Sequence, residues 1–149
     1  MKWATRANVH VDRAACAWLI RRFVDAQPEF SFVTDPAQVP PDATSFDMRG
    51  AVLGHHQDRC SFETALEHFD LVADPVLEEI GHIVHEADLA DEKYDVPAAP
   101  GLDAVIRGVS LITESDQGTL AVTDRIFDGL YEYLRRQLAS AAPGELGVE

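Results

Sequence analysis

Cysteine is scarce in this sequence, with Cys16 and Cys60 the only two among 149 residues. Two cysteines cannot form a disulfide framework, and their separation does not fit a zinc knuckle. We therefore expect reduced thiols and a fold that rests on its hydrophobic core. A chain of this length can bury such a core as one domain, which we place at residues 1–138.

Basic residues are also few, with 12 Lys and Arg against 26 Asp and Glu and a formal net charge of −14. This charge would repel the phosphate backbone that dominates nucleic-acid affinity, so direct binding of nucleic acid is not expected. A small anion site remains compatible with it, because clustered arginines and helix N-termini act locally.

Long apolar runs are missing as well. No segment approaches the roughly 18 apolar residues of a membrane span, and residues 1–6 (MKWATR) lead into polar sequence without an apolar signal core. We expect a cytoplasmic protein without membrane association. The sequence also lacks a glycine-rich phosphate loop, a nucleophile elbow and a closely spaced cysteine pair, which argues against nucleotide hydrolysis, serine esterase chemistry and dithiol redox chemistry.

Hydrophobic periodicity predicts an α/β (α+β) fold in which a small N-terminal sheet with helices precedes a three-helix C-terminal half. Asp12 is the expected N-cap of the first helix, and Ser61 that of a later one. The other predicted elements are strands at 3–5 and 29–33, a hairpin of 44–48 with 51–55, helices at 12–24 and 61–69, and three helices beginning near 75, 102 and 116.

The last helix is predicted to end near residue 138. Ile126, Leu130 and Leu134 recur one turn apart and are expected to form its core face. The remaining residues, 139–149, lose helical periodicity at a Pro-Gly pair and are predicted to be a flexible acidic tail.

One long motif carries a family resemblance. Residues 11–23 read VDRAACAWLIRRF, close to the form V-D-R-x-A-C-x-W-L-I-R-R-F that opens the chromate-resistance domain. Further matching blocks follow in the same order at residues 46–47, 54–55, 59–62 and 83–88. The chain thus resembles the chromate-resistance protein family over residues 2–135, since long ordered blocks are more specific than any short motif.

The resemblance implies an accessory, stress-response role in chromate resistance. Such domains are encoded with chromate-efflux systems, stand alone, or form the C-terminal part of chromate-responsive regulators. The resemblance carries over no biochemical activity, so whether the chain is an enzyme stays open.

Several side chains within the matching blocks offer the nitrogen, oxygen and sulfur donors that bind Zn, Fe or Mn. We select Asp47, His55, His85 and Asp88 as the candidate metal ligands. The additional candidates are Asp12, Cys60, His82 and Glu86.

Each candidate also has a structural interpretation. His82 and His85 point away from the apolar stripe of their helix and could be exposed, while His55 could be a half-buried core histidine. Cys60 precedes a predicted helix, where the helix dipole can lower a thiol pKa, yet a buried inert cysteine is the more common outcome.

Arg13 is the candidate anion-binding residue, because an arginine beside a helix N-terminus suits a sulfate-like dianion. Asp12 and Arg13 could instead form a structural pair. The predicted function is therefore an accessory protein that binds a divalent metal or responds to an oxyanion. The alternatives are a metal-dependent enzyme with Glu86 as its base, or a homodimerising module without a small-molecule site.

Overall fold

The computed structural model describes residues 1–141. A three-stranded parallel sheet forms the N-terminal part, with β1 (Lys2–Arg6) between β2 (Glu29–Val33) and β3 (Thr44–Ser45). Trp3, Ala4 and Thr5 of β1 are all buried, as a central strand that is covered on both faces requires. Parallel neighbours need a crossover connection, and a helix supplies it between β1 and β2.

This crossover helix, α1 (Val11–Leu19), is the centre of the molecule. Eight of its nine residues are buried, and the chain continues into a π-helical turn at Ile20–Val24. The predicted cap is wrong by two residues, because His10 is the N-cap and Asp12 lies inside the first turn. The side chain of Asp12 is thereby free to bind another segment.

The predicted hairpin is not formed. β3 pairs in parallel with β1, and the following residues fold into a compact loop that is closed by the N–H of Asp47 donating to the carbonyl of Leu53. Gly50 occupies the turn with φ 80°, a conformation that favours glycine. The Arg49-Gly50 signal thus marks a real turn, but the chain around it is loop rather than sheet.

The remaining helices largely follow the prediction, and the side chains of Asp74 and Ser115 cap two of them. Asp74 accepts from the N–H of Val76, and Ser115 accepts from the N–H of Gly118, as N-caps do. Cys60, not Ser61, precedes the shortest helix as its N-cap. The four helices are α2 (Ser61–His68), α3 (Pro75–Leu89), α4 (Ala98–Ile112) and α5 (Asp116–Ser140).

The core lies where α1 packs against α5 and the other helices. Trp18 stacks on Phe127 of α5 with ring centroids 5.6 Å apart. The predicted core face of α5 needs correction, since Phe127 and Leu134 are buried whereas Ile126 and Leu130 are only partly so. Helix α5 also ends two residues later than predicted, and residues 142–149 of the predicted tail lie outside the described part of the chain. None of the described helices is long and apolar enough to cross a membrane.

Candidate functional site

One histidine and three carboxylates from different segments converge at the N-terminal end of α1. His55 Nε2 lies 3.0 Å from Asp12 Oδ2, 3.2 Å from Asp88 Oδ2 and 3.6 Å from Asp47 Oδ1. Asp12 comes from α1, Asp88 from α3, and the other two from the compact loop after β3. Ligand atoms of Asp12, His55 and Asp88 all lie within 4.8 Å of one another, close enough to share one cation.

Asp12 is held rigidly by the start of α2. Its side chain is only 2% exposed, and its two oxygens accept the backbone N–H groups of Ser61 at 2.8 Å and Phe62 at 2.9 Å. These groups are among the first N–H groups of a helix, which have no partner within the helix itself. Asp12 therefore completes the N-terminus of α2 from a distance while presenting Oδ2 to His55.

Asp47 is fixed by two neighbours. Its Oδ1 accepts a 2.6 Å hydrogen bond from Ser61 Oγ, and its Oδ2 lies 3.1 Å from Nε of Arg13. Arg13 also donates to the carbonyl of Asp47 at 3.1 Å. Asp47 has a positive φ of 45°, a conformation that Asp tolerates better than most residues. Arg13 thus pairs with Asp47 rather than with the adjacent Asp12.

The close approach of several carboxylates changes the pKa values of the cluster. Burial, together with the charge of Asp12, raises the pKa of Asp47 to about 7 despite the opposing effect of Arg13. Hydrogen bonds to Asp12 and Asp88 raise the pKa of His55 to about 10. A proton on His55 therefore balances the carboxylates near neutral pH, and a bound cation would have to displace it.

The loop that carries His55 is shaped by Gly54. A Cβ at Gly54 would lie 3.0 Å from the carbonyl oxygen of Ala51 and 3.2 Å from that of Met48, so a larger residue would push the loop open. Beside this loop lies a cleft of about 510 Å³. Asp47 and His55 are among the residues that line it, together with Arg6, Arg13 and Arg49.

His85 belongs to a second cluster. It is fully buried, with Nδ1 2.5 Å from Glu63 and Nε2 2.9 Å from Asp91, while Tyr94 donates to Glu63 at 3.1 Å. Although burial acts against it, the hydrogen bonds to Glu63 and Asp91 raise the pKa of His85. The exposed interpretation of His85 is wrong, and its nitrogens contact these two carboxylates rather than the ligands around His55.

The other two candidates on α3, Glu86 and His82, make contacts outside the His55 cluster. Glu86 uses both carboxylate oxygens to accept the backbone N–H groups of Glu92 and Tyr94, so it holds the loop after α3. His82 stacks on Tyr94 with ring centroids 4.0 Å apart.

Cys60, the N-cap of α2, is buried, and this burial raises the pKa of its thiol well above the ordinary value. Burial has the same effect on Cys16. Both thiols are therefore protonated near neutral pH, and the interpretation of Cys60 as a buried, unreactive cysteine is confirmed.

Sequence reasoning selected all four members of the His55 cluster, with Asp12 only as an additional candidate. It missed Glu63, whose position three residues after the N-cap Cys60 and whose 3.0 Å bond to the Cys60 N–H follow the capping-box pattern. It also missed Arg6 and Arg49, because exposed arginines carry no local signal of a shared cleft.

Comparison with known proteins identifies the family of this chain. The family model "ChrB, C-terminal domain" matches residues 3–134. The chain belongs to the ChrB C-terminal domain family. The resemblance to the chromate-resistance family is thereby confirmed.

A curated relative, Protein ChrB of Cupriavidus metallidurans, is 39% identical over 132 residues, which are 89% of this chain. The aligned span is only 40% of that relative's length. No solved structure gave a significant match.

Proposed function

We propose that this domain is an accessory protein of chromate resistance that holds a divalent metal between Asp12, Asp47, His55 and Asp88. Family membership supports the physiological setting. The single observation that carries the metal assignment is the convergence of three carboxylates on one imidazole nitrogen, with Asp12 buried and oriented by two backbone N–H groups.

The chemistry of the donor atoms limits which metal ions would suit this site. One imidazole nitrogen with carboxylate oxygens, and no thiolate, suits Mn²⁺, Fe²⁺ or Zn²⁺ better than soft ions such as Cu⁺. Ser61 and Arg13 fix the carboxylate of Asp47, as neighbours of metal ligands commonly do. Because the imidazole of His55 is 44% exposed beside the cleft, a bound metal would retain a side that is open to solvent or a ligand.

The test is the metal content of protein purified without chelator or affinity-tag metal and then loaded with each of the three ions. We expect one equivalent in wild type and in His68→Ala, and at least a tenfold weaker affinity in His55→Ala and Asp88→Ala. His68 is a matched control because its ring packs on Phe69 and contacts no carboxylate in the described residues. Equal metal content in all four proteins, or none in wild type, would refute the assignment.

The open cleft favours a metal-dependent enzyme as a second candidate function. A metal with one free position can activate a water molecule or polarise a bound ester. Glu86 is not positioned as the base, since both its oxygens accept backbone N–H groups. Hydrolysis of phosphate and carboxylate esters by the metal-loaded protein, lost in His55→Ala, would support this role, whereas inactivity of the loaded wild type towards both would count against hydrolysis.

A further inference from the structure

Most cations of this acidic chain are paired. Nine of its twelve Lys and Arg side chains lie within 4 Å of a carboxylate that the structure describes. Within residues 1–141, Arg6, Arg49 and Arg125 are the cations without such a contact. With carboxylates more than twice as numerous as cations, an unpaired arginine is unexpected, and two of these three line the same cleft.

The two arginines reach the cleft from distant parts of the sequence. Arg6 ends β1, and Arg49 lies in the turn that follows Asp47. The carboxylate of Asp47 is not their partner, since it lies against Ser61, Arg13 and His55 instead. A positively charged wall therefore stands next to the negatively charged cluster around His55.

The dimensions of the cleft indicate the kind of anion. Its volume of about 510 Å³ is within the range of roughly 300–1,000 Å³ that small-molecule sites occupy. A free tetrahedral oxyanion would fill only a small part of it. Met48 and Ala51 add apolar lining that an inorganic ion cannot use.

We propose that Arg6 and Arg49 bind the phosphate or carboxylate group of a small organic anion, whose other end lies against Met48 and Ala51. Guanidinium groups suit this task because they donate two parallel hydrogen bonds to such groups. The anion lies beside Asp47 and His55, and this placement next to a metal rests on the function proposed above. Binding by the arginines themselves does not require the metal.

The test uses phenyl phosphate as the organic probe and sulfate as the inorganic one, titrated calorimetrically into metal-loaded and chelator-treated protein. Arg6→Gln/Arg49→Gln is the test variant and Arg125→Gln the matched control, since Arg125 is exposed and unpaired on α5, outside the cleft-lining set. We expect phenyl phosphate to bind wild type and the control alike, at least tenfold tighter than sulfate. The double variant should bind it at least tenfold more weakly.

Equal binding of phenyl phosphate by the double variant and the control would overturn the proposal, as would no binding to wild type at millimolar concentration. Sulfate binding as tightly as phenyl phosphate would reduce the cleft to an inorganic oxyanion site and overturn the organic assignment. Failure of the metal site is recognised separately, because His55→Ala without metal should still bind the probe through its arginines.

Discussion

The carboxylate of Asp12 accepts a 2.8 Å hydrogen bond from the backbone N–H of Ser61, so a side chain of the first helix completes the N-terminus of the second. The same carboxylate touches His55. The site and the packing of α1 against α2 therefore depend on one residue.

Asp12→Ala should consequently lower stability even without metal. It leaves the N–H groups of Ser61 and Phe62 buried without an acceptor, at a cost of about 1–3 kcal/mol each. Asp88→Ala should cost less than Asp12→Ala, because within the described residues its partly exposed carboxylate contacts only His55 and holds no backbone N–H. Urea denaturation in the presence of a chelator measures both, and Asp12→Asn, which keeps one acceptor oxygen, should recover part of the loss. Equal stability of the two alanine variants would show that Asp12 does not support α2.

His85→Gln should separate the two histidine clusters. Removing the buried imidazole leaves Glu63 and Asp91 without their shared partner, so we expect a loss of about 1–3 kcal/mol in the free energy of unfolding. The metal content should remain that of wild type, because His85 contacts none of the ligands around His55. Loss of metal from a folded His85→Gln protein would instead return His85 to the ligand set, and circular dichroism provides the check on folding.

The pH dependence of stability should reveal the proton on His55. Its pKa rises from the ordinary 6.5 to about 10 in the folded protein, so the folded state binds this proton more tightly than the unfolded state. The resulting stabilisation is complete below about pH 6.5 and is lost as the pH rises through 10.

In chelator-treated protein, the difference in denaturation midpoint between wild type and His55→Gln should therefore be largest near pH 6 and smallest near pH 10. His68→Gln controls for the loss of an imidazole that has no carboxylate neighbour in the described residues. A difference that grows with pH would mean that His55 is neutral in the folded protein.

Much of the fold follows from local patterns. Strand β2 and helices α1, α3, α4 and α5 were predicted because their alternation or helical spacing is visible within a short window, and α2 because Ser61 suits a helix start. The predicted hairpin is wrong because the pairing of this segment depends on residues far away in the sequence. Thr44 and Ser45 pair with Trp3 and Ala4, and no local signal encodes a parallel register between segments so far apart.

The candidate site also has a part that the sequence predicts and a part that it does not. Asp47, His55 and Asp88 could be selected because they lie in family-like blocks and carry ligand chemistry. The separation of His85 from them could not be predicted, since a helical wheel counts only the apolar stripe of α3. The second buried side of α3 is created by Glu63 from α2 and Tyr94 from the following loop, which enclose His85.

Phe127→Ala should damage the fold most among substitutions on the last helix. Phe127 is fully buried and stacks on Trp18, so its truncation should cost about 3–5 kcal/mol. Leu130→Ala should cost less, towards the lower end of the usual range of about 2–5 kcal/mol, because Leu130 is only partly buried against the core. His68→Ala, on an exposed position of α2, should stay within roughly 0.5 kcal/mol.

Chemical denaturation at one pH and one protein concentration, with chelator present, holds histidine ionisation, self-association and metal binding fixed. The denaturation midpoint should then be highest for His68→Ala, lower for Leu130→Ala and lowest for Phe127→Ala. A Leu130→Ala midpoint below that of Phe127→Ala would mean that α5 docks on the core through the face the sequence predicted, and a large loss in His68→Ala would mean that its contact with Phe69 closes the core beneath α2.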